Sequence, residues 1–127
     1  MVCKKYGIDL KKAYQGIKIS SGNSFVHETE SQVILNGSYD VGFTMDLACK
    51  DLGLFDQLTK YLNIPAEISP LIVKIFNEGR IKYGDRALST SIVKLLEDKC
   101  NTDLRGDGFP SQLHDNETRK KGIEIKS

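Results

Sequence analysis

The sequence predicts an all-α fold, a bundle of five to six helices. Three observations carry that expectation. Apolar residues recur at three- and four-residue spacing through almost all of residues 1–98. No alternating, strand-like run competes with them. Capping and breaking residues (Asp, Ser, Asn, Gly, Pro) interrupt the pattern at intervals that suit helices.

A first helix is expected to end near Tyr6, at the Gly7-Ile8-Asp9 turn, because glycine suits a helix C-terminus. Asp9 is a natural N-cap for the next helix, where Leu10, Ala13, Tyr14 and Ile17 stand at i, i+3, i+4 and i+7. Ser20-Ser21-Gly22-Asn23-Ser24 breaks it. Phe25, Val26, Thr29, Val33 and Ile34 mark a third helix, ended by Asn36-Gly37. The longest helix runs from about Phe43 to Leu62. One row on it is Val41, Met45, Ala48, Leu52 and Phe55; a second is Leu47, Leu54, Leu58 and Tyr61. A stripe that wide predicts a central, buried helix. Asn63-Ile64-Pro65 closes it, and Ser69-Pro70 is expected to open the next, with Ser69 as N-cap and Pro70 at the first helical position. Leu71, Ile72, Ile75, Phe76 and Ile81 form that helix's face. After the Gly84-Asp85 turn, Ser89-Thr90-Ser91 is expected to start a last helix holding Ile92, Val93, Leu95 and Leu96.

Length and composition divide the 127 residues in two. Residues 1–98 hold 44 of the 50 apolar positions, enough for one core. Residues 99–127 hold six apolar and 11 charged residues, and are expected to form a polar tail, loosely packed or disordered. Lys+Arg total 18 and Asp+Glu 17, a net charge of +1, which excludes a nucleic-acid binder driven by bulk charge. Arg119-Lys120-Lys121 is too short a basic run to change that. No apolar run is long enough for a membrane helix and the N-terminus has no signal-peptide core, so a cytoplasmic protein is expected. Cys3, Cys49 and Cys100 are odd in number and lack CxxC spacing, and His27 and His114 lie far from them. Reduced thiols are expected and no metal site, although spacing alone leaves a Cys–His nucleophilic pair open.

One helix face is unusual. Asp51 lies among Leu47, Ala48, Leu54 and Phe55 at its i±3 and i±4 positions, and Lys50 precedes it, two turns after Phe43. The bland reading pairs Asp46 with Lys50 on the surface and gives Asp51 a hydrogen bond to a neighbouring helix end. The sharper reading turns this face toward a cleft, where Lys50 and Asp51 meet a polar ligand. The Ser20–Ser24 stretch has the same two readings, a turn with a helix cap or a small anion site. Neither GxGxxG nor GxxxxGK[ST] occurs, so these residues contain no recognisable nucleotide-binding motif.

Several stretches, in order, resemble the C-terminal helical domain of the β-hydroxyacid dehydrogenases, the family of 3-hydroxyisobutyrate dehydrogenase and tartronate semialdehyde reductase, with its 6-phosphogluconate dehydrogenase-like fold. They are Tyr6-Gly7-Ile8-Asp9, Ser20–Ser24, the F-x6-K-D-L run from Phe43 to Leu52, Ile64-Pro65 and Ser69-Pro70-Leu71. The resemblance implies that Lys50 reaches a bound NAD or NADP and that Phe43 and Asp51 line the substrate and nicotinamide cleft. It also implies a Rossmann domain and a catalytic lysine on the helix joining the domains. Neither has a counterpart in these residues, so the chain alone is expected to be inactive and to need a Rossmann-domain segment or chain as partner. The alternative is a non-catalytic helical protein–protein interaction module on the same fold. An apolar groove left without its covering helix makes a homo-oligomer an expectation under either reading.

Overall fold

The computed structural model describes residues 1–113 and Gly122. The chain forms α1 (Val2–Lys5), α2 (Leu10–Lys18), α3 (Phe25–Asn36), α4 (Met45–Tyr61), α5 (Ile68–Tyr83), a 3₁₀ turn (Ser89–Val93) and α6 (Lys94–Cys100). There is no strand among the described residues, only an isolated antiparallel bridge between Thr44 and Leu88. The fold is therefore the all-α bundle that the spacing predicts.

The caps act as the sequence suggests at the first three helices. Gly7 takes a left-handed φ of 82° between α1 and α2. Asp9 accepts a hydrogen bond from the Lys12 amide (2.8 Å), and Ser24 accepts one from the His27 amide (3.0 Å). Gly37 ends α3 at φ 93°. Two expectations shift. α5 starts at Ile68, so Ser69 and Pro70 lie inside its first turn, where a missing N–H costs no bond. Ser69 does not cap the helix; its hydroxyl donates to Asp56 Oδ1 (2.8 Å) across the α4–α5 interface. Ser89-Thr90-Ser91 opens a 3₁₀ turn, with α6 following from Lys94. All three hydroxyl residues are buried, because this turn sits where α3, α4, α5 and α6 meet.

α4 and α5 pair as a hairpin, the most extensive contact in the molecule. Gly79 of α5 lets the 3₁₀ turn approach closely: a Cβ there would lie 2.6 Å from Ile92 Cδ1, whereas Met45 Cε of α4 would be at ordinary contact, 3.6 Å. Met45 of α4 and Val33 of α3 are fully buried. A second cluster joins Leu10 and Tyr14 of α2 to Leu35 of α3.

Residues 101–113 depart from the expected loose tail. Leu104 and Phe109 pack on the second cluster, with the Phe109 ring edge-on to Tyr14 at 5.2 Å. The Gly106 amide donates to the Leu35 carbonyl (3.0 Å), and the Asn36 side-chain amide to the Phe109 carbonyl (2.9 Å). A few apolar residues suffice because α2 and α3 leave a matching surface. Residues 114–121 and 123–127, with His114 and the Arg119-Lys120-Lys121 run, lie outside the described residues.

The larger correction concerns α4. Met45 and Ala48 are buried, but Leu47, Leu54, Leu58, Tyr61 and Phe55 are exposed. The two apolar rows diverge: Met45, Ala48 and the half-buried Leu52 face the core, whereas Phe55 at the end of their row and the whole second row face away from it. The core side instead holds two polar residues, Asp56 and Thr59.

Candidate functional site

The start of α4 is held by the loop after α5. The Met45 amide donates to the Ala87 carbonyl (2.7 Å), the Asp46 amide to the Asp85 carbonyl (3.0 Å), and the Ser89 amide to the Phe43 carbonyl (2.8 Å). Asp46 accepts from the Thr44 hydroxyl, which holds its carboxyl below the usual carboxylate range. Arg86 stands 3.5 Å from Asp46, and Arg80 grips Asp85 through two N–H groups (2.7 and 3.2 Å). This lattice fixes the loop that carries Phe43.

From Phe43 the exposed residues step outward along one line. Residues 47, 50, 54, 58 and 61 are separated by three or four positions and share a face of α4, and Phe43 stands in the loop just before the helix. Lys50 is the one cation in this line, and Asp51 flanks it. Their side chains pair with each other, Nζ to Oδ1 at 3.0 Å, and are 59% and 57% exposed. Phe43 is 36% exposed. The bland reading therefore fails in both parts: Asp46 is bonded to Thr44 and Arg86, and Asp51 pairs with Lys50. An ammonium with one carboxylate partner keeps further N–H donors for a ligand. The arrangement is a positive charge and a carboxylate set in an apolar, outward-facing stripe.

The other polar clusters are closed. Asp56 is buried and accepts from Lys60 (2.6 Å) and Ser69 (2.8 Å); both contacts hold its carboxyl low, Lys60 most. It borders a broad depression of about 770 Å³ between α4 and α5, on a different flank of α4 from Lys50. Glu97, 3% exposed, accepts from the Tyr39 hydroxyl (2.6 Å), the Leu104 amide (2.6 Å) and Arg105 (3.0 Å). Arg105 also donates to the Tyr39 hydroxyl (2.7 Å). Burial first, then the Glu97 bond, pushes the Tyr39 phenol up to about 12. The periodic pattern carried no signal for this triad, in which Tyr39 lies 58 residues from Glu97.

The Ser20–Ser24 stretch spends its polar groups on itself. Ser20 Oγ donates to the Ile17 carbonyl and accepts from the Gly22 amide, Ser24 caps α3, and Asn23 donates to Glu28. It is a turn and cap. The His27 ring is occupied by the Tyr14 carbonyl (3.0 Å) and Ser31 (3.3 Å). The three cysteines are free and half-buried, and burial pushes the Cys49 thiol up, away from the reactive thiolate. Among the described residues no three His, Cys, Asp or Glu side chains gather as a metal site, and no helix is long and apolar enough to cross a membrane.

The sequence model of the family described as NAD-binding of NADP-dependent 3-hydroxyisobutyrate dehydrogenase matches residues 1–96. The chain belongs to this family. Its match ends inside α6, so the docked segment 101–113 lies beyond it. Among curated relatives, 2-(hydroxymethyl)glutarate dehydrogenase of Eubacterium barkeri is 30% identical over 103 residues, covering 80% of this chain and 34% of that protein. L-threonate dehydrogenase of Haemophilus influenzae is 29% identical over 95 residues, covering 75% and 32%. L-threonate dehydrogenase of Escherichia coli K12 is 29% identical over 86 residues, covering 65% and 28%. The chain spans about a third of the length of the curated relatives it matches. These relatives are dehydrogenases, which ties the 3-hydroxyisobutyrate dehydrogenase family to oxidoreductase chemistry with NAD(P).

Proposed function

We propose that this chain supplies the C-terminal, cofactor- and substrate-cleft part of an NAD(P)-dependent 3-hydroxyacid dehydrogenase. The observation that carries this reading is Lys50, paired with Asp51 in the exposed apolar stripe that begins at Phe43. Family membership supports it, as does a match to only about a third of each dehydrogenase relative. The remaining portion, a dinucleotide-binding segment or chain, covers the Phe43–Leu54 half of the stripe.

The residues fit a nicotinamide dinucleotide. Lys50 offers a positive charge and N–H donors to its polar groups, and Asp51 orients the Lys50 ammonium. Phe43 presents an apolar edge that excludes water from the cleft. When bound, the dinucleotide supplies hydride transfer to or from a small 3-hydroxy acid. No lysine in the Phe43–Asp51 line other than Lys50 is placed to move a proton, and Lys50 is engaged by Asp51. The chain alone is accordingly inactive, because isolated groups forfeit the positioning gain of roughly 7–11 kcal/mol.

The test is an amide NMR titration of the purified chain with NAD and NADP, wild type beside Lys50→Ala. Shifts confined to Phe43–Leu54 and lost in the variant are expected, with affinity near the millimolar range, about −4 kcal/mol. No shifts at millimolar cofactor, or shifts centred on the Asp56–Lys60 depression, overturn the assignment.

A further inference from the structure

We propose that Asn36 is a site of spontaneous deamidation and that the docked 101–113 segment is its gate. Asn36-Gly37 is the one Asn-Gly pair in the sequence. Glycine has no side chain to shield its backbone nitrogen or restrict its approach, so the ring closure between the two residues meets the least hindrance there. The reaction needs only water as co-reactant. The Gly37 nitrogen attacks Cγ of Asn36 and forms a C–N bond. The bond from Cγ to the side-chain nitrogen breaks, and ammonia leaves with the Gly37 proton. Water then opens the succinimide ring at either carbonyl, giving aspartate or isoaspartate.

The structure exposes the asparagine and withholds the nucleophile. Asn36 is the last residue of α3 and stands in solvent. The Gly37 amide donates to the Val33 and Ile34 carbonyls, both at 3.0 Å. The attack therefore requires the last turn of α3 to open. Two residues of the segment hold that turn shut. The Asn36 side-chain amide donates to the Phe109 carbonyl (2.9 Å), which ties down the leaving nitrogen. The Arg105 guanidinium lies against Gly37, where it would meet an added Cβ, and donates to the Ile34 carbonyl (3.4 Å). Arg105 is anchored in turn by Glu97 and by the Tyr39 hydroxyl. Conversion loosens its own gate. The carboxylate of either product has no N–H to give the Phe109 carbonyl. It also adds negative charge at the C-terminal end of α3, where the helix dipole is already negative. The family match ends at residue 96, so the gate is built from residues beyond it. None of this involves the Lys50 face, and it stands whether or not that face meets a dinucleotide.

Peptide mapping by mass spectrometry, after incubation of the purified chain at mildly alkaline pH, tests it by reading the amide-to-acid mass gain at residue 36. The chain unfolded in urea is expected to convert about 100-fold faster than the folded wild type, because the open turn is the reactive form. Phe109→Ala, with helix content by circular dichroism unchanged, is expected to convert about 10-fold faster than the folded wild type. Phe109→Leu, which keeps more of the packing, is expected to fall between the two. Asp56→Asn, which weakens the α4–α5 contact instead, is expected to match the wild type. Asn36→Asp, one of the two products, is expected to raise amide exchange at Gly106 about 10-fold. No conversion at residue 36 in the unfolded chain overturns the site. A folded wild type that converts as fast as the unfolded chain, or as fast as both Phe109 variants, overturns the gate. So does an Asp56→Asn rate equal to that of Phe109→Ala, because the route would then be global unfolding. Unchanged exchange at Gly106 in Asn36→Asp overturns the loosening.

Discussion

Glu97–Arg105 and Lys50–Asp51 are two ion pairs with the same N–O distance, 3.0 Å, and opposite surroundings. Glu97 is buried, and Tyr39, the Leu104 amide and Arg105 share its two oxygens. The Lys50–Asp51 pair stands in solvent with donors to spare. Distance therefore says little about what an ion pair does; burial and completeness of partners say much more. The first pair locks the 101–113 segment to α3 and α6. The second stands on a face that no other element among the described residues covers.

Breaking the buried pair is the largest expected effect. Glu97→Ala leaves the Leu104 amide and the Tyr39 hydroxyl donor without their acceptor, and should lower unfolding free energy by roughly 2–3 kcal/mol in urea titration. A loss below about 1 kcal/mol would make the two pairs alike after all. Gly37→Ala attacks the same lock from another side. Its φ of 93° disfavours any side chain, and an added Cβ would press on the Arg105 guanidinium. A cost of about 1–3 kcal/mol is expected, with faster amide exchange at Gly106.

Asp56 sharpens the comparison through pH. Its folded carboxyl is held low by Lys60 and Ser69, so the unfolded state takes up the proton first as pH falls. That contribution is complete above the ordinary carboxylate value of about 4 and is lost as pH drops below it. Asp56→Asn should flatten the midpoint of thermal unfolding between pH 5 and pH 2, relative to wild type. Lys50→Ala is the smallest change to the fold, expected under about 1 kcal/mol by urea titration, while the cofactor-dependent shifts at Phe43–Leu54 disappear.

Much of the fold was legible in order along the chain. Asp9, Ser24, Gly7 and Gly37 mark helix ends through local backbone chemistry, and they do so in the structure. Lys50 and Asp51 stood out because charge on an apolar helix face is visible from spacing alone. Ser69 misled because a serine before Pro70 satisfies the cap rule, while its hydroxyl is drawn to a buried carboxylate on another helix. The 101–113 segment misled because few apolar residues are needed when a formed surface receives them.

The sequence by itself determined the all-α class, the positions of most helices and the singular face around Lys50. These follow from capping and from apolar spacing, which act within a few residues. Only the tertiary structure decided which of α4's two apolar rows meets the core, and that Tyr39, Glu97 and Arg105 come together across 66 residues. Spacing gives a helix two faces without saying which one finds a neighbour. A buried charge network exists only once distant segments have packed and water has been excluded.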